Sequence, residues 1–297
     1  MEQHDYLTTR EVADLLRVKE RKVYELAASG ELPCRRLTGK LLFARAEIDA
    51  LLAGDADGVG IAVPRPGSAR PDVLVGSHDP LLDWALRESG SGIAAFFDGS
   101  LDGLARFGQG AAIICGLHVF EPEANRWNVG HVAGAFAGAP LVLIEWARRR
   151  QGLISSPDAA VPITAVGDLR GRRVALRQPS AGGRLLFDHL LAKAGLAHAD
   201  LLVVPTPART ETDVAAAVAG GAADAALGLE SMARQFRLAF QPLIEERYDL
   251  LIDRRAYFEA PLQALTAFCR TPAFAARAAA LGGYDVSGFG TVHWNGP

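Results

Sequence analysis

Residues 8–52 read TTREVADLLRVKERKVYELAASGELPCRRLTGKLLFARAEIDALL. Thr8 followed three residues later by Glu11 is a capping box, so a helix should begin near Thr9. Val12, Ala13, Leu15 and Leu16 supply its apolar stripe at helical spacing. Arg17-Val18 makes the turn, and a second helix is predicted from about Glu20 to Ala28, with Val23, Leu26 and Ala27 inward. Glu20, Arg21, Lys22, Tyr24 and Glu25 then fall on or near its outer face. Ser29-Gly30 ends that helix with the glycine such termini favour. Leu32-Pro33 leads into CRRLTGKLLF, two short strands around Thr38-Gly39, and AEIDALL closes the segment as a third helix.

Two short helices, a tight turn, a basic hairpin and a third helix make up a winged helix-turn-helix, whose second helix enters a DNA major groove. From Arg17 to Arg45 there are eight Lys/Arg against three Glu, a local excess of +5. Lys19, Arg21, Lys22 and Tyr24 of the second helix, with Arg35, Arg36 and Lys40 of the hairpin, are the candidate DNA contacts, the cations being placed for phosphate. The stretch resembles the MerR-like, excisionase-type helix-turn-helix domain over nearly all of residues 5–53. The matching residues are TTREVADLL, VYEL, SGELP, the basic hairpin ending in LLF, and AEIDALL. One departure is Lys19, where that family has a Ser or Thr capping helix two.

The 297 residues leave room for one small and one large domain, expected at 1–53 and 72–297. The segment between, GDADGVGIAVPRPGSARP (54–71), is rich in Gly, Pro, Asp and Ala without sustained periodicity and reads as a linker. Hydrophobic residues at 49% and charged residues at 22% are ordinary for a soluble globular chain. A net charge of -3 argues against coating nucleic acid indiscriminately, but a small basic domain acts through its local field. The opening MEQHDYLTTREVADLL lacks the apolar stretch of a signal peptide, and no run of about 18 apolar residues suggests a membrane span. Cys34, Cys115 and Cys269 are scattered and lack metal-ligand spacing, so no direct protein–metal ligands are expected. A cytoplasmic protein that does not engage a membrane fits these features.

After the linker, apolar runs alternate with helical patterns. VLVG (73–76), IAAFF (93–97), AAIIC (111–115), PLVLIE (140–145), RVALR (173–177), LLVVP (201–205), ADAALGL (223–229) and YDLLID (248–253) are predicted strands. LLDWALRES, AGGRLLFDHLLAKAG and TDVAAAVAGG are predicted helices. Such alternation indicates α/β architecture with parallel sheets. LIEWARRRQGLIS (143–155) passes from one strand group to the next, ERYDLLIDRR (246–255) returns, and only helical pattern follows. A chain that crosses twice and finishes on its first lobe has the arrangement of a type II periplasmic-binding-protein fold. Lobe one is expected at about 72–150 and 250–297, lobe two at about 151–249.

Strand-to-helix junctions carry three small polar clusters: Gly76-Ser77-His78-Asp79, Asp98-Gly99-Ser100 and Pro179-Ser180-Ala181-Gly182-Gly183. Helix N-termini present free N–H groups and partial positive charge, Ser adds a donor, and Gly lets the backbone approach. Each alone is most often an ordinary N-cap; three from two lobes, at strand ends facing a crevice, point to a ligand site. His118, in GLHVF, and Asn128, in NRWNV, can donate across its mouth, and Arg177 and Arg184 flank the lobe-two cluster. Taken bare, a His beside apolar residues is more often structural, and Trp127 reads as core. The candidate ligand residues are therefore Ser77, His78, Ser100, His118, Asn128, Arg177, Ser180, Gly182 and Gly183. Catalytic signatures are absent: there is no GxSxG, HExxH or CxxC, and GLARFGQG lacks the Lys of a P-loop.

The ordered series SHDPLLDWAL, DGSLDGLARFGQGAAIICGLHVFEPEANRWNV, RRRQGLI, LRQPSAGGRLLFDHLL, ADAALGLESMA, PLIEERYDL and GGYDVSG resembles the cytoplasmic PBP-like sensing domain that follows helix-turn-helix or molybdopterin-biosynthesis modules. The resemblance covers about 220 residues. It implies molybdate or tungstate as effector, with no cofactor, and favours His118 as a ligand contact. One departure is TETDVAAAV (210–218), where Glu211 stands in place of a His beside the Thr. The chain thus reads as a ligand-responsive, non-enzymatic regulator of operator DNA, working as a homodimer or larger oligomer because a lone small helix-turn-helix seldom binds specifically. A sensor of another small anionic metabolite, and an accessory factor or enzyme of molybdenum-cofactor metabolism, remain open. A transporter's solute-binding protein is the weakest reading.

Overall fold

The computed structural model describes residues 6–16, 18–28, 32, 34–37, 40–45, 48, 70–158 and 162–297. The chain divides into two compact units, Met1–Gly60 and Ile61–Pro297.

In the first unit β1 (Tyr6–Thr8) is followed by α1 (Thr9–Leu16) and α2 (Glu20–Ala28), then by β2 (Arg35–Leu37) and β3 (Lys40–Ala44). The capping box forms: Thr8 N–H donates to the Glu11 carboxylate at 2.7 Å, and Glu11 N–H to Thr8 Oγ1 at 3.4 Å. The hairpin pairs Arg35 with Leu42, Arg36 with Leu41 and Leu37 with Lys40. Strand β1, absent from the sequence reading, adds to its other side, pairing Leu7 with Phe43. Leu7, Val12, Ala13, Val23, Leu32, Phe43 and Ile48 form the core. Leu15, expected inside, is 39% exposed, one position off the buried stripe that Val12 and Ala13 define. Thr38, Gly39 and most of the expected third helix lie outside the described residues.

The second unit runs through β4 (Val73–Gly76), α3 (Pro80–Glu88), β5 (Ala94–Phe97), α4 (Ser100–Gly108) and β6 (Ile114–Leu117). A small hairpin, β7 (Phe120–Glu121) and β8 (Arg126–Trp127), and α5 (Val129–Ala135) precede the long β9 (Leu141–Ser155). Next come β10 (Arg173–Ala175), α6 (Gly182–Lys193), β11 (Leu202–Val203), α7 (Glu211–Ala219), β12 (Ala225–Leu229), α8 (Glu230–Gln235) and the equally long β13 (Ala239–Asp253). The chain finishes with α9 (Ala260–Phe268), α10 (Pro272–Leu281), β14 (Tyr284–Asp285) and β15 (Val292–Asn295).

The strands lie in the order β11-β10-β12-β9-β13-β6-β4-β5, with β14 and β15 also paired to β9. Parallel triplets occupy the two ends, as the alternating pattern predicts, but the joining strands are antiparallel, so the sheet is mixed. β9 and β13 pair along nearly their whole length, with register shifts between Pro242 and Ile244 and between Tyr248 and Asp249. At 15 residues each they span about 50 Å, enough to belong to both lobes. The sequence reading cut each of them short, at 140–145 and 248–253, because charged residues interrupt the apolar pattern in their middles. It also missed the closing strands β14 and β15. Each lobe has apolar clusters packed about its sheet, one group including Leu74, Trp146 and Phe274 with Phe107 and Leu143, the other Leu186 and Phe187 with Val214 and Met232. This is a small helix-turn-helix unit followed by a two-lobed type II binding-protein fold.

Candidate functional site

The ends of β4, β5 and β6 in lobe one and of β10 in lobe two deliver the small polar segments to one crevice. Gly76 makes the first junction possible: its φ is +114°, and a Cβ there would overlap the Gly116 backbone. The lobes touch directly. Leu101 N–H, in the first turn of α4, donates to Ser180 O at 3.0 Å, and Ser180 Oγ donates to Asp98 O at 3.1 Å. Arg209 forms an ion pair with Asp98 across the same gap. A Cβ on Gly182 would overlap the His118 carbonyl oxygen, so glycine at the start of α6 permits this approach.

Beneath the crevice lies a continuous buried polar chain. His118 Nδ1 is 2.7 Å from Glu246 Oε2; Glu246 pairs with Arg149, its cross-strand neighbour; and Arg149 Nη1 donates to Asp79 at 2.8 Å. Asp79 caps α3 by accepting from Leu82 N–H at 2.7 Å, and also accepts from Trp146 Nε1 at 3.0 Å and Tyr284 OH at 2.6 Å. The Arg149 guanidinium lies over the Tyr248 ring, 4.4 Å from its centroid, and Tyr248 OH donates to Ser77 O. Burial pushes the Glu246 carboxyl upward, but Arg149 and His118 together outweigh it and hold the group down at about 2. Burial likewise disfavours the charge on Arg149, and Glu246 and Asp79 reverse that effect and raise its pKa. Removing either partner would strand a buried charge, which is far costlier than losing a surface pair. Ionised Glu246 can only accept, so His118 Nδ1 is the donor in this bond and Nε2 faces away from the chain.

Above this chain are buried polar atoms that it does not use. Among the described residues, His118 Nε2, His78 Nδ1 and both amide atoms of Gln151 have no hydrogen-bond partner. His118 and Gln151 lie beside the start of α6, where Ala181 is an N-cap without a capping side chain, and His78 is close enough to Glu211 and Arg177 to feel both charges. A side chain built on Gly183 would come within 3.9 Å of His118 Cε1 and of Gln151 Nε2, and within 4.0 Å of Glu211 Oε1. Glu211 opens α7 and pairs with Arg177, which also donates to Arg209 O at 3.0 Å; both members of the pair are buried. Burial lowers the His78 pKa, against the upward pull of the Glu211 and Asp79 carboxylates.

The structure brings together Ser77, His78, Ser100, His118, Arg177, Ser180, Gly182 and Gly183, with their polar atoms differently committed. The Ser77 and Ser100 hydroxyls bond each other at 2.8 Å, and Ser100 Oγ accepts from His118 N–H at 3.2 Å. Asn128 is engaged within lobe one. At φ 66° it accepts from Val119 N–H at 2.6 Å and donates to Asp249 at 2.7 Å and to Leu117 O, so its amide braces the loop rather than pointing into the crevice. Trp127 packs in the core beside Phe120, and Arg184 pairs with Asp188 on its own helix. Arg149, Gln151 and Glu246 were missed by sequence reasoning. The available signal was RRRQ and EER, charged runs inside otherwise apolar strands.

In the helix-turn-helix unit, Lys19, Glu20, Arg21, Lys22 and Tyr24 are exposed along α2 and its N-cap, with Tyr24 at 53%. Val23, between them, is fully buried, which fixes which side of α2 faces outward. Arg35, Arg36 and Lys40 lie on the hairpin strands.

Comparison with known proteins agrees with this architecture. Residues 83–270 match the PBP superfamily domain, and residues 6–56 match a helix-turn-helix domain. The chain is similar to the Bacillus subtilis protein YvgK, 26% identical over 299 residues that cover 96% of each chain. Among solved structures, a Clostridium perfringens substrate-binding protein of the phosphate ABC-transporter type, solved with bound phosphate, has a TM-score of 0.53 at 12% identity, covering 70% of this chain and 96% of that one. The alkanesulfonate-binding protein SsuA from Xanthomonas axonopodis pv. citri has a TM-score of 0.45 at 17% identity, over 72% and 79% of the two chains. The first of these likenesses concerns the fold alone. With more than half its length matched, the chain belongs to the PBP superfamily domain family and carries a helix-turn-helix domain at its N-terminal end.

Proposed function

We propose that this protein is a one-component, non-enzymatic transcriptional regulator of the cytoplasm, which binds operator DNA through its helix-turn-helix unit and senses a small oxyanion, molybdate or tungstate, between the lobes. The observation that carries the ligand reading is the set of buried polar atoms without partners among the described residues, on His118 and Gln151 beside the uncapped start of α6 and on His78. Buried polar groups without partners are costly, and a helix N-terminus supplies free N–H donors, so a small anion that accepts from Gln151 Nε2, from ring N–H groups and from those amides answers both. Ser77, Ser100, Arg177, Ser180, Gly182 and Gly183 frame that position, and no cofactor is required. Ligand acts on DNA only by binding one arrangement of the lobes more tightly than another.

Calorimetry with molybdate, tungstate, sulfate and phosphate tests the ligand. Saturable binding of molybdate or tungstate, with weaker sulfate and phosphate, is expected; no binding of any of the four overturns the oxyanion. A gel shift on the protein's own promoter region, weakening steeply with salt, tests the DNA reading, and a salt-insensitive shift or none overturns it. One observation favours a second reading: Glu211 already neutralises Arg177, which suits a ligand of lower charge such as a small organic monoanion.

A further inference from the structure

Among the described residues, Arg149 and Arg177, the buried guanidinium groups of this region, are each already matched to an acid. Arg149 lies between Asp79 and Glu246, and Arg177 is paired with Glu211, so three buried carboxylates face two guanidinium groups. Asp79 and Glu246 are turned toward the hinge chain, and each is held by other donors. Glu211 differs: Oε1, the oxygen that Arg177 holds, also lies 4.0 Å from where a side chain on Gly183 would begin, beside His118 and Gln151. An anion seated against the start of α6 would lie near this carboxylate, in an interior where like charges repel more strongly than in water.

We infer that Glu211 is the specificity-determining residue for ligand charge: its carboxylate lowers the affinity for a dianion relative to a monoanion of the same shape, a penalty that molybdate or tungstate meets against the hydrogen bonds of the site. This rests on the oxyanion site proposed above. Arg177 holds Glu211 in place, and the N-terminus of α7 favours a negative charge there, so the carboxylate is a fixed wall of the site. Each negative charge on the ligand is penalised once by that wall, so a dianion loses about twice what a monoanion loses. Hydrogen-bond geometry is left to His78, His118, Gln151 and the α6 amides, while Glu211 sets the charge limit.

Tungstate and perrhenate separate charge from shape, because both are tetrahedral oxyanions and differ by one negative charge. The dissociation constants of both are measured by calorimetry for the full-length wild type, Glu211→Gln and Glu211→Asp. Glu211→Gln keeps a hydrogen-bonding partner for Arg177 and removes the charge; it should move the tungstate-to-perrhenate affinity ratio toward tungstate by about tenfold or more. Glu211→Asp keeps the charge and should leave the ratio near that of the wild type. Thermal melts establish folding, and Glu211→His provides the same loss of carboxylate if the Gln variant does not fold. If wild type and the neutral variant both bind with the same ratio, the charge role of Glu211 is overturned while the oxyanion site stands. Binding of neither anion by any of the folded proteins overturns the oxyanion site and this inference with it.

Discussion

Glu246 remains ionised at a position with no access to water, and the reason is local. Arg149 sits opposite it on β9, His118 Nδ1 bonds it at 2.7 Å, and the two offset the cost of burial so fully that its pKa falls to about 2. In the unfolded chain a Glu titrates near ~4.3. A carboxyl depressed on folding contributes stability that is complete above the unfolded value and is lost as pH falls toward the folded one. Glu246 should therefore add on the order of 3 kcal/mol at neutral pH and surrender it between about pH 4.5 and 2. Urea titrations at pH 7, 4.5 and 3 on wild type and Glu246→Gln check this. The variant should be less stable at pH 7 by a few kcal/mol and show a shallower loss on acidification; parallel pH profiles would contradict the assignment. None of this was visible in the sequence, because Arg149 and Glu246 are far apart along the chain and become partners only through the register of β9 and β13. His118, Ser77 and Gly182 were legible because each lies beside a strand end or helix start that the local pattern marks.

Elements differ in how plainly they announce themselves. Helix α1 could be located from its capping box and apolar spacing, and the structure starts it at Thr9. The central strands could not be read whole, since the apolar alternation of β9 breaks at Arg148-Arg149-Arg150 and that of β13 at Glu245-Glu246-Arg247. Those charges are satisfied by one another or by groups on other elements, such as Asp79 and Glu230, a tertiary solution that periodicity does not encode. The first turn of α6 offers a prediction of its own. Gly182 is helical and buried, and within a helix alanine is favoured over glycine by up to about 1 kcal/mol. Gly182→Ala should nonetheless impair the protein, because its methyl group would meet the backbone carbonyl of His118, which cannot rotate away. The lobes would then be held apart. Small-angle scattering should show a larger radius of gyration, and affinity for the preferred oxyanion should fall by about tenfold or more, with the melting temperature little changed. Unaltered scattering and affinity would show that closure does not depend on this contact.

At the scale of the whole chain, the two units divide the work by chemistry. The larger unit puts its buried polar atoms at the meeting of two lobes, where a small ligand changes which arrangement is favoured. The smaller unit exposes Lys19, Arg21 and Lys22, but Glu20 stands among them on α2 and reduces the net positive charge of that face. A helix-turn-helix of this size reads a few base pairs with one recognition helix, and the usual remedy is a second copy on an adjacent half-site. In a two-fold pair, a lobe movement in each protomer would be able to change the spacing between two DNA-reading helices, which a single copy cannot do. The expected species is therefore a homodimer. Sedimentation at micromolar concentration should give a mass twice that of one chain, and footprinting should protect two half-sites whose centres lie about 10 base pairs apart or a multiple of that. Oxyanion should alter the affinity for the paired site much more than for an isolated half-site. A monomer in sedimentation that protects one half-site with ligand-independent affinity would defeat this arrangement, because the lobes would then have no second reading head against which to act.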